Sequence, residues 1–209
     1  MTALQINMLD KLIQIFRRPP PADFQESRRE DRLRTIEGSS SAEKAAEMLR
    51  APAALMQLTH EEALVVVSYM QPRRIAEGTT FIREGDTRDT DFMLLLLDGE
   101  VTIESIVVSR TEPITVSVLG PGSLIGEMGL LDGEPRSASC TALTDLRGAV
   151  LTRKALAQLM DEEPRTAAKL MMAISMRIAQ RMREGAEKLK LYSQLTQAMQ
   201  EEINGLATP

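Results

Sequence analysis

The chain has one cysteine, one histidine and no tryptophan, and these shortages narrow what it can be. Cys140 alone cannot close an internal disulfide, and with only His60 beside it there is no ligand set of the kind that holds structural zinc. No metal ligand is assigned. Aromatic residues make up 3% of the chain, too few for the stacking platforms that grip single-stranded nucleic acid. No apolar run is long enough to span a bilayer, and the N-terminus lacks a basic stretch followed by a sustained apolar one, so the expected compartment is the cytoplasm. A net charge of −5 argues against a surface given over to nucleic acid. The phosphate loop ending in Gly-Lys-Ser/Thr, the kinase motifs and the nucleophile elbow are all missing, so no catalytic residue is assigned and the chain is not expected to be an enzyme.

What is present suits one globular domain with appendages: 209 residues, 43% of them hydrophobic. Leu4, Met8, Leu9, Leu12, Ile13 and Phe16 recur at helical spacing, which predicts an amphipathic helix ended by Arg17, Arg18 and the three prolines 19–21. We take 1–18 as that helix, open to docking on its own domain, on a partner subunit or on another protein. Residues 19–40 are polar and charged and read as a linker, with Arg28 to Ile36 a candidate short solvated helix. A second helix is expected from Ser41, as N-cap, towards Pro52, and a third from Thr59, where Thr59-His60-Glu61-Glu62 has capping-box spacing. His60, at the start of an exposed turn, is read as a surface residue.

After Pro72 the pattern changes to short apolar runs separated by Gly, Asp and Pro, the signature of a β-sandwich or β-roll. Strands are expected at Arg73–Glu77, Thr80–Arg83, Asp91–Leu97, Val101–Val108, Ile114–Leu119, Ala138–Leu143 and Arg147–Leu151. Leu94 to Leu97 is apolar on both faces, and its Gly-bounded surroundings decide for a strand over a buried helix.

Between these runs, Gly126-Glu127-Met128-Gly129 and then Asp132-Gly133-Glu134-Pro135-Arg136-Ser137 can surround a small anion from several sides. Gly126 and Gly129 let a ligand approach the backbone, and a helical turn over Glu127 to Leu131 would present free N–H groups to negative charge. Arg136 offers a planar fork of donors and Ser137 a hydroxyl. Glu127 would repel a bare phosphate, but it fits a ligand that carries a hydroxyl beside its phosphate. Arg136, placed near the surface of the roll, is expected to be replaceable without loss of the fold.

This cassette resembles that of the cyclic-nucleotide-binding domain family, and the turns at Gly85, Gly99 and Gly120-Pro121-Gly122 resemble the family's turns. The resemblance implies an α+β fold: an antiparallel eight-stranded β-roll (jelly-roll-like) over 41–163 with N-terminal helices and a long C-terminal dimerisation helix over 164–205. It implies a cyclic nucleotide as ligand (cAMP or cGMP) and no metal. Glu127 would bind the ribose 2′-hydroxyl, Arg136 the cyclic phosphate and Ser137 a further phosphate oxygen. By the same resemblance Arg181 would lie near the nucleotide, and Val116 and Ser117 beside the purine. The two positions that read the base through hydroxyls in the family's bacterial transcription factors are Gly185 and Ala186 here, so loose base selection is expected.

The long helix would outreach a small roll, and Met182, Gly185, Leu189, Tyr192, Thr196, Met199 and Ile203 recur in alternating steps of three and four. Such a stripe fits a two-helix seam in a homodimer. Only residues 204–209 follow it, too few for a DNA-reading module, so direct DNA binding is not expected. Two functions are open at this point: a cyclic-nucleotide-binding regulatory protein that signals by moving its helices, or an interaction scaffold of the same fold that docks a partner through its N-terminal helix.

Overall fold

The computed structural model describes residues 22–50, 58–105 and 114–206, which fall into two compact units meeting between Ala173 and Ile174. The helix expected over 2–16 and the stretch 106–113 lie outside the described residues. In the first unit, helices α1 (Ala22–Ile36), α2 (Ser40–Arg50) and α3 (His60–Ser68) precede eight strands. These are β1 (Gln71–Ile75), β2 (Thr80–Ile82), β3 (Phe92–Asp98), β4 (Val101–Ser105), β5 (Ile114–Leu119), β6 (Leu124–Ile125), β7 (Ser139–Ala142) and β8 (Leu146–Thr152). Helix α4 (Glu127–Asp132) sits between β6 and β7, and α5 (Arg153–Glu162) and α6 (Pro164–Leu206) follow β8.

The strands form two antiparallel four-stranded sheets, in the orders β1-β8-β3-β6 and β2-β7-β4-β5. This is the expected β-roll. Strand β3 is buried on both faces, which is why its leucine run does not alternate. Its inward set, Phe92, Leu94 and Leu96, packs with Ile75, Ile82, Ile125 and Val150 to form the interior of the roll. The turn after β3 is fastened to its surroundings by Asp98, which accepts from Lys44 of α2 and lies 2.7 Å from Arg147 of β8.

The capping box at the start of α3 is formed as expected: Thr59 Oγ1 accepts from the Glu62 amide, and the Glu62 carboxylate accepts from the Thr59 amide. The cap of helix α2 differs by two residues. The helix begins at Ser40, and the hydroxyl that accepts from the Ala42 amide belongs to Ser39, not to Ser41. His60 is half exposed, 3.3 Å from Glu43.

The larger difference is α1, a fifteen-residue helix in the stretch read as a linker. It has little apolar periodicity, and charge holds it in place. Arg28 and Arg32 both donate to the Glu162 carboxylate, at 2.9 and 3.0 Å, and Arg32 stacks on the Tyr69 ring at 4.0 Å. The Tyr69 hydroxyl donates to the same carboxylate at 2.7 Å. Arg29 lies 3.9 Å from Glu163 and from Glu61. The second half of the helix is the short one expected over Arg28 to Ile36, but Glu162 is more than a hundred residues away in the chain, so nothing local announces where the helix docks. The first ten residues of α6 close the unit: Ala167, Leu170 and Ala173 are buried, and Lys169 donates to Glu62.

The described part of the second unit is the rest of α6, from Ile174 to Leu206. Met182, Leu189, Tyr192 and Met199 of the expected seam are all more than half exposed, and Leu191 and Leu195 widen the apolar stripe. A side chain at Gly185 would meet nothing within 4 Å.

Burial alone would raise the Glu162 pKa, but hydrogen bonds from Tyr69 and Arg32 and the charges of Arg32 and Arg28 hold it below the ordinary carboxylate value. A depressed carboxylate contributes stability that is complete above its unfolded value, ~4.3, and is lost as pH falls through the folded value. Glu162→Gln is therefore expected to unfold with a shallower loss of stability than the wild type as pH falls from about 5 towards 3, as measured by urea denaturation at each pH. Parallel profiles would show that the charge of Glu162 does not hold α1.

Candidate functional site

Strand β6 pairs with β3 through Leu94↔Ile125 and Leu95↔Leu124, and this delivers Gly126 to the end of the roll. Gly126 has φ +81°, the left-handed region, and serves as N-cap of α4 with no capping side chain. The first N–H groups of such a helix have no partner within it and are open to an outside acceptor. Helix α4 ends at Gly133, φ +73°, whose amide donates to the Gly129 carbonyl. Two guanidinium bonds complete that end: Arg153, the first residue of α5, donates to the carbonyls of Leu130, at 3.0 Å, and Gly129.

The chain then turns through Pro135 and is clipped to the turn after β2. The Gly85 amide donates to the Arg136 carbonyl at 2.8 Å, and the Arg136 amide to the Asp86 carbonyl at 3.0 Å. From there the Arg136 side chain runs beneath α4 into the protein. It is 5% exposed, which corrects the expectation of a surface arginine. Nε and Nη2 donate to the Asp89 carbonyl at 3.0 and 2.6 Å, Nη2 also to Phe92 O at 3.0 Å, and Nη1 to Gly126 O at 2.9 Å. The guanidinium also lies over the Phe92 ring, 4.6 Å from its centre. These four bonds engage four of its five N–H groups, leaving one on Nη1. Burial pushes its pKa down, opposed by the charges of nearby groups that include Asp91, Asp86 and Asp89.

The two cassette glycines have a reason that differs from the one read in the sequence. A Cβ on Gly126 would stand 2.6 Å from Arg136 Nη1, and one on Gly129 would stand 2.9 Å from the same atom. The space they leave is taken by Arg136.

The structure therefore brings Gly126, Glu127, Met128, Gly129 and Arg136 together and places Ser137 next to them in the chain. Glu127 is almost fully buried, whereas Met128 is half exposed and Ser137 is exposed. Val116 and Ser117 lie on β5, an edge strand of the second sheet, with Ser117 opposite Ile103 of β4. Arg181 is exposed on α6 in the second unit. Sequence reading missed Asp89 and Phe92, which serve through their carbonyls, and Arg153. A backbone carbonyl leaves no mark on residue type, and Arg153 reads as an ordinary residue of a helix start. Among the described residues there is no group of three His, Cys, Asp or Glu placed to hold a metal ion, and no helix long and apolar enough to cross a membrane.

Comparisons with known proteins bear on the domain as a whole. The family model of the cyclic nucleotide-binding domain matches residues 72–163. A solved cyclic nucleotide-binding domain from Methylobacillus flagellatus superposes with a TM-score of 0.65 and 31% identity, covering 73% of this chain and 84% of its own. The chain belongs to the cyclic nucleotide-binding domain family. The cyclic AMP receptor protein of Thermus thermophilus is 33% identical over 136 residues, 65% of this chain and 60% of that protein. The regulatory domain of Toxoplasma gondii PKA, solved with cAMP, gives a TM-score of 0.52 at 27% identity, covering 58% of this chain and 45% of its own. The chain thus spans about 60% of the length of the Thermus relative.

Removing the guanidinium would leave the Asp89, Phe92 and Gly126 carbonyls without their buried donor and open a cavity beneath α4. Arg136→Ala is expected to lose about 2–4 kcal/mol of unfolding free energy, and Arg136→Lys somewhat less, since an ammonium supplies a charge but not the fork. Chemical denaturation measures both. A change below ~0.5 kcal/mol for Arg136→Ala would mean that the guanidinium does not hold the cassette.

Proposed function

We propose that the chain binds a cyclic mononucleotide in the Gly126–Ser137 cassette and passes its occupancy to the helices, as a regulatory rather than a catalytic protein. One observation carries the reading: the buried Arg136 guanidinium spends its hydrogen bonds on carbonyl dipoles and not on a carboxylate, so its charge remains available to an anion at the cassette. Its remaining Nη1 N–H, the first amides of α4 and the Ser137 hydroxyl form a donor set for the two free oxygens of a cyclic phosphate. Glu127 is suited to accept from a ribose 2′-hydroxyl, and because it is buried it does so only once the sugar is seated against the cassette. Membership of the family, and the cAMP bound by the Toxoplasma regulatory domain, support this assignment.

Cyclic AMP is the ligand we favour. Gly185 and Ala186 carry no hydrogen-bonding side chain, so at these positions the purine edge would meet nothing that penalises the wrong base. Val116, Ser117 and Arg181 are the residues we assign to the nucleoside. We further propose that the apolar stripe on α6, exposed in the single chain, pairs with the same stripe of a second copy.

Two measurements follow. Calorimetry is expected to show cAMP and cGMP binding within about tenfold of each other, ~1.4 kcal/mol, and Ser137→Ala, an exposed change, is expected to weaken both by roughly 1–2 kcal/mol. A hundredfold preference would mean that another residue, Arg181 first, reads the base, and an unaffected Ser137→Ala would remove that hydroxyl from the site. For assembly, replacing Leu189 and Met199 by glutamate would put unpaired charge into the seam, and sedimentation is expected to show monomers. A dimer of unchanged stability would place the contact elsewhere.

A further inference from the structure

Helix α1 uses one side to hold the domain and turns another to an open groove. Arg28, Arg29 and Arg32 reach Glu162 and Glu163. Leu33 and Ile36, three residues apart and so on one face, instead line the groove together with Leu64 of α3. Its volume is about 530 Å³, and these three apolar residues are only half-buried. Glu30, Glu37 and Glu43 supply its charged lining, and Arg34 beside them is taken by Asp31 at 3.7 Å and Glu30 at 4.0 Å.

We infer that the groove is the seat of the chain's own N-terminal segment, residues 2–16, which folds back along α1 and buries the apolar side of its expected helix against Leu33, Ile36 and Leu64. The segment is then a strap on its own domain and not a free hook for another protein. This holds whatever the cassette binds.

The length of the connection selects this occupant. Pro19, Pro20 and Pro21 cannot continue a helix, so the segment joins α1 as a separate element across Arg17–Pro21, five residues and a usual length for a helix–helix connection. Those residues span at most about 17 Å when extended, and Glu30 lies roughly 12 Å along α1 from Ala22, so Phe16 is kept in the neighbourhood of α1. Laid antiparallel to α1, a helix over 2–16 matches its fifteen residues, about 22 Å, and brings Leu4 and Met8 level with the stretch from Glu30 to Ile36 that lines the groove. Leu4, Met8 and Leu12 follow at steps of four and share one face, and Lys11 falls within a turn of Glu30. The short tether holds this face beside its own groove at an effective concentration of roughly millimolar, above what a second copy supplies in dilute solution. The acidic lining opposes an anionic membrane as the alternative cover, since Glu30, Glu37 and Glu43 would be brought against like charge.

Cysteine pairing on the full chain tests the seat. Met8→Cys with Leu33→Cys is expected to close an intrachain disulfide under mild oxidation, in a yield about fivefold or more above Met8→Cys with Thr35→Cys, whose second position is exposed on another side of α1. Cys140 is buried and is left in place, the linked peptides being identified by mass spectrometry. Leu64→Cys replaces Leu33→Cys if that chain does not fold. Adding Leu4→Glu and Leu12→Glu is expected to cut the yield about fivefold, because the apolar face and not the tether alone seats the segment. Without any new cysteine, amide hydrogen exchange over residues 31–36 is expected to be about threefold faster in Leu4→Glu/Leu12→Glu than in the wild type. Equal yields at positions 33 and 35, a yield indifferent to the two glutamates, or unchanged exchange would overturn the inference. A link that forms only between chains, when the Met8→Cys and Leu33→Cys variants are mixed, would give the groove to a second copy and overturn the seat in the same chain.

Discussion

A positive charge buried beneath a six-residue helix is the constraint on which the rest of the molecule depends. Taking a guanidinium out of water costs several kcal/mol unless its donors are met, and Arg136 meets that cost with the carbonyls of Asp89, Phe92 and Gly126 and the face of the Phe92 ring. The consequences spread from there. Two glycines must lie above it because any Cβ would collide, the turn after β2 must come close enough to pair with residue 136, and the loop that enters β3 must point the Asp89 and Phe92 oxygens at it.

The same arrangement explains why the site suits an anion. Carbonyl dipoles stabilise the guanidinium without cancelling its charge, as a hydrogen-bonded carboxylate would. The cation is also held rigidly, so little side-chain freedom would be lost on binding the phosphate we propose. We see the roll as a frame that positions one charge.

How much of this was legible in the sequence varies with the reach of the interaction. The capping box at Thr59 is contained in four residues and was read correctly, and the leucines of β3 declared a doubly buried strand once the flanking glycines were weighed. The cassette was found because its residue types recur at short, fixed spacing. Of helix α1 only the stretch Arg28 to Ile36 is legible as a helix, and that as a solvated one, because its partners, Glu162 and Glu163, are remote in sequence and its apolar periodicity is weak. The burial of Arg136 is not legible for a different reason. Its partners are main-chain oxygens, and residue identity says nothing about where a carbonyl points. Gly126 and Gly129 were recognised as necessary, but the atoms they make room for belong to the protein itself.

The central claim, that the Gly126–Ser137 cassette holds a cyclic phosphate, is tested most directly by titrating the labelled chain with cyclic AMP and following backbone amide resonances. The account predicts saturable shifts largest at Glu127, Met128, Gly129 and Ser137, and much smaller ones with 5′-AMP, whose doubly charged open phosphate has no geometry matched to the cassette. Shifts that leave these four amides unmoved while others respond, or no response at millimolar cyclic AMP, would contradict it.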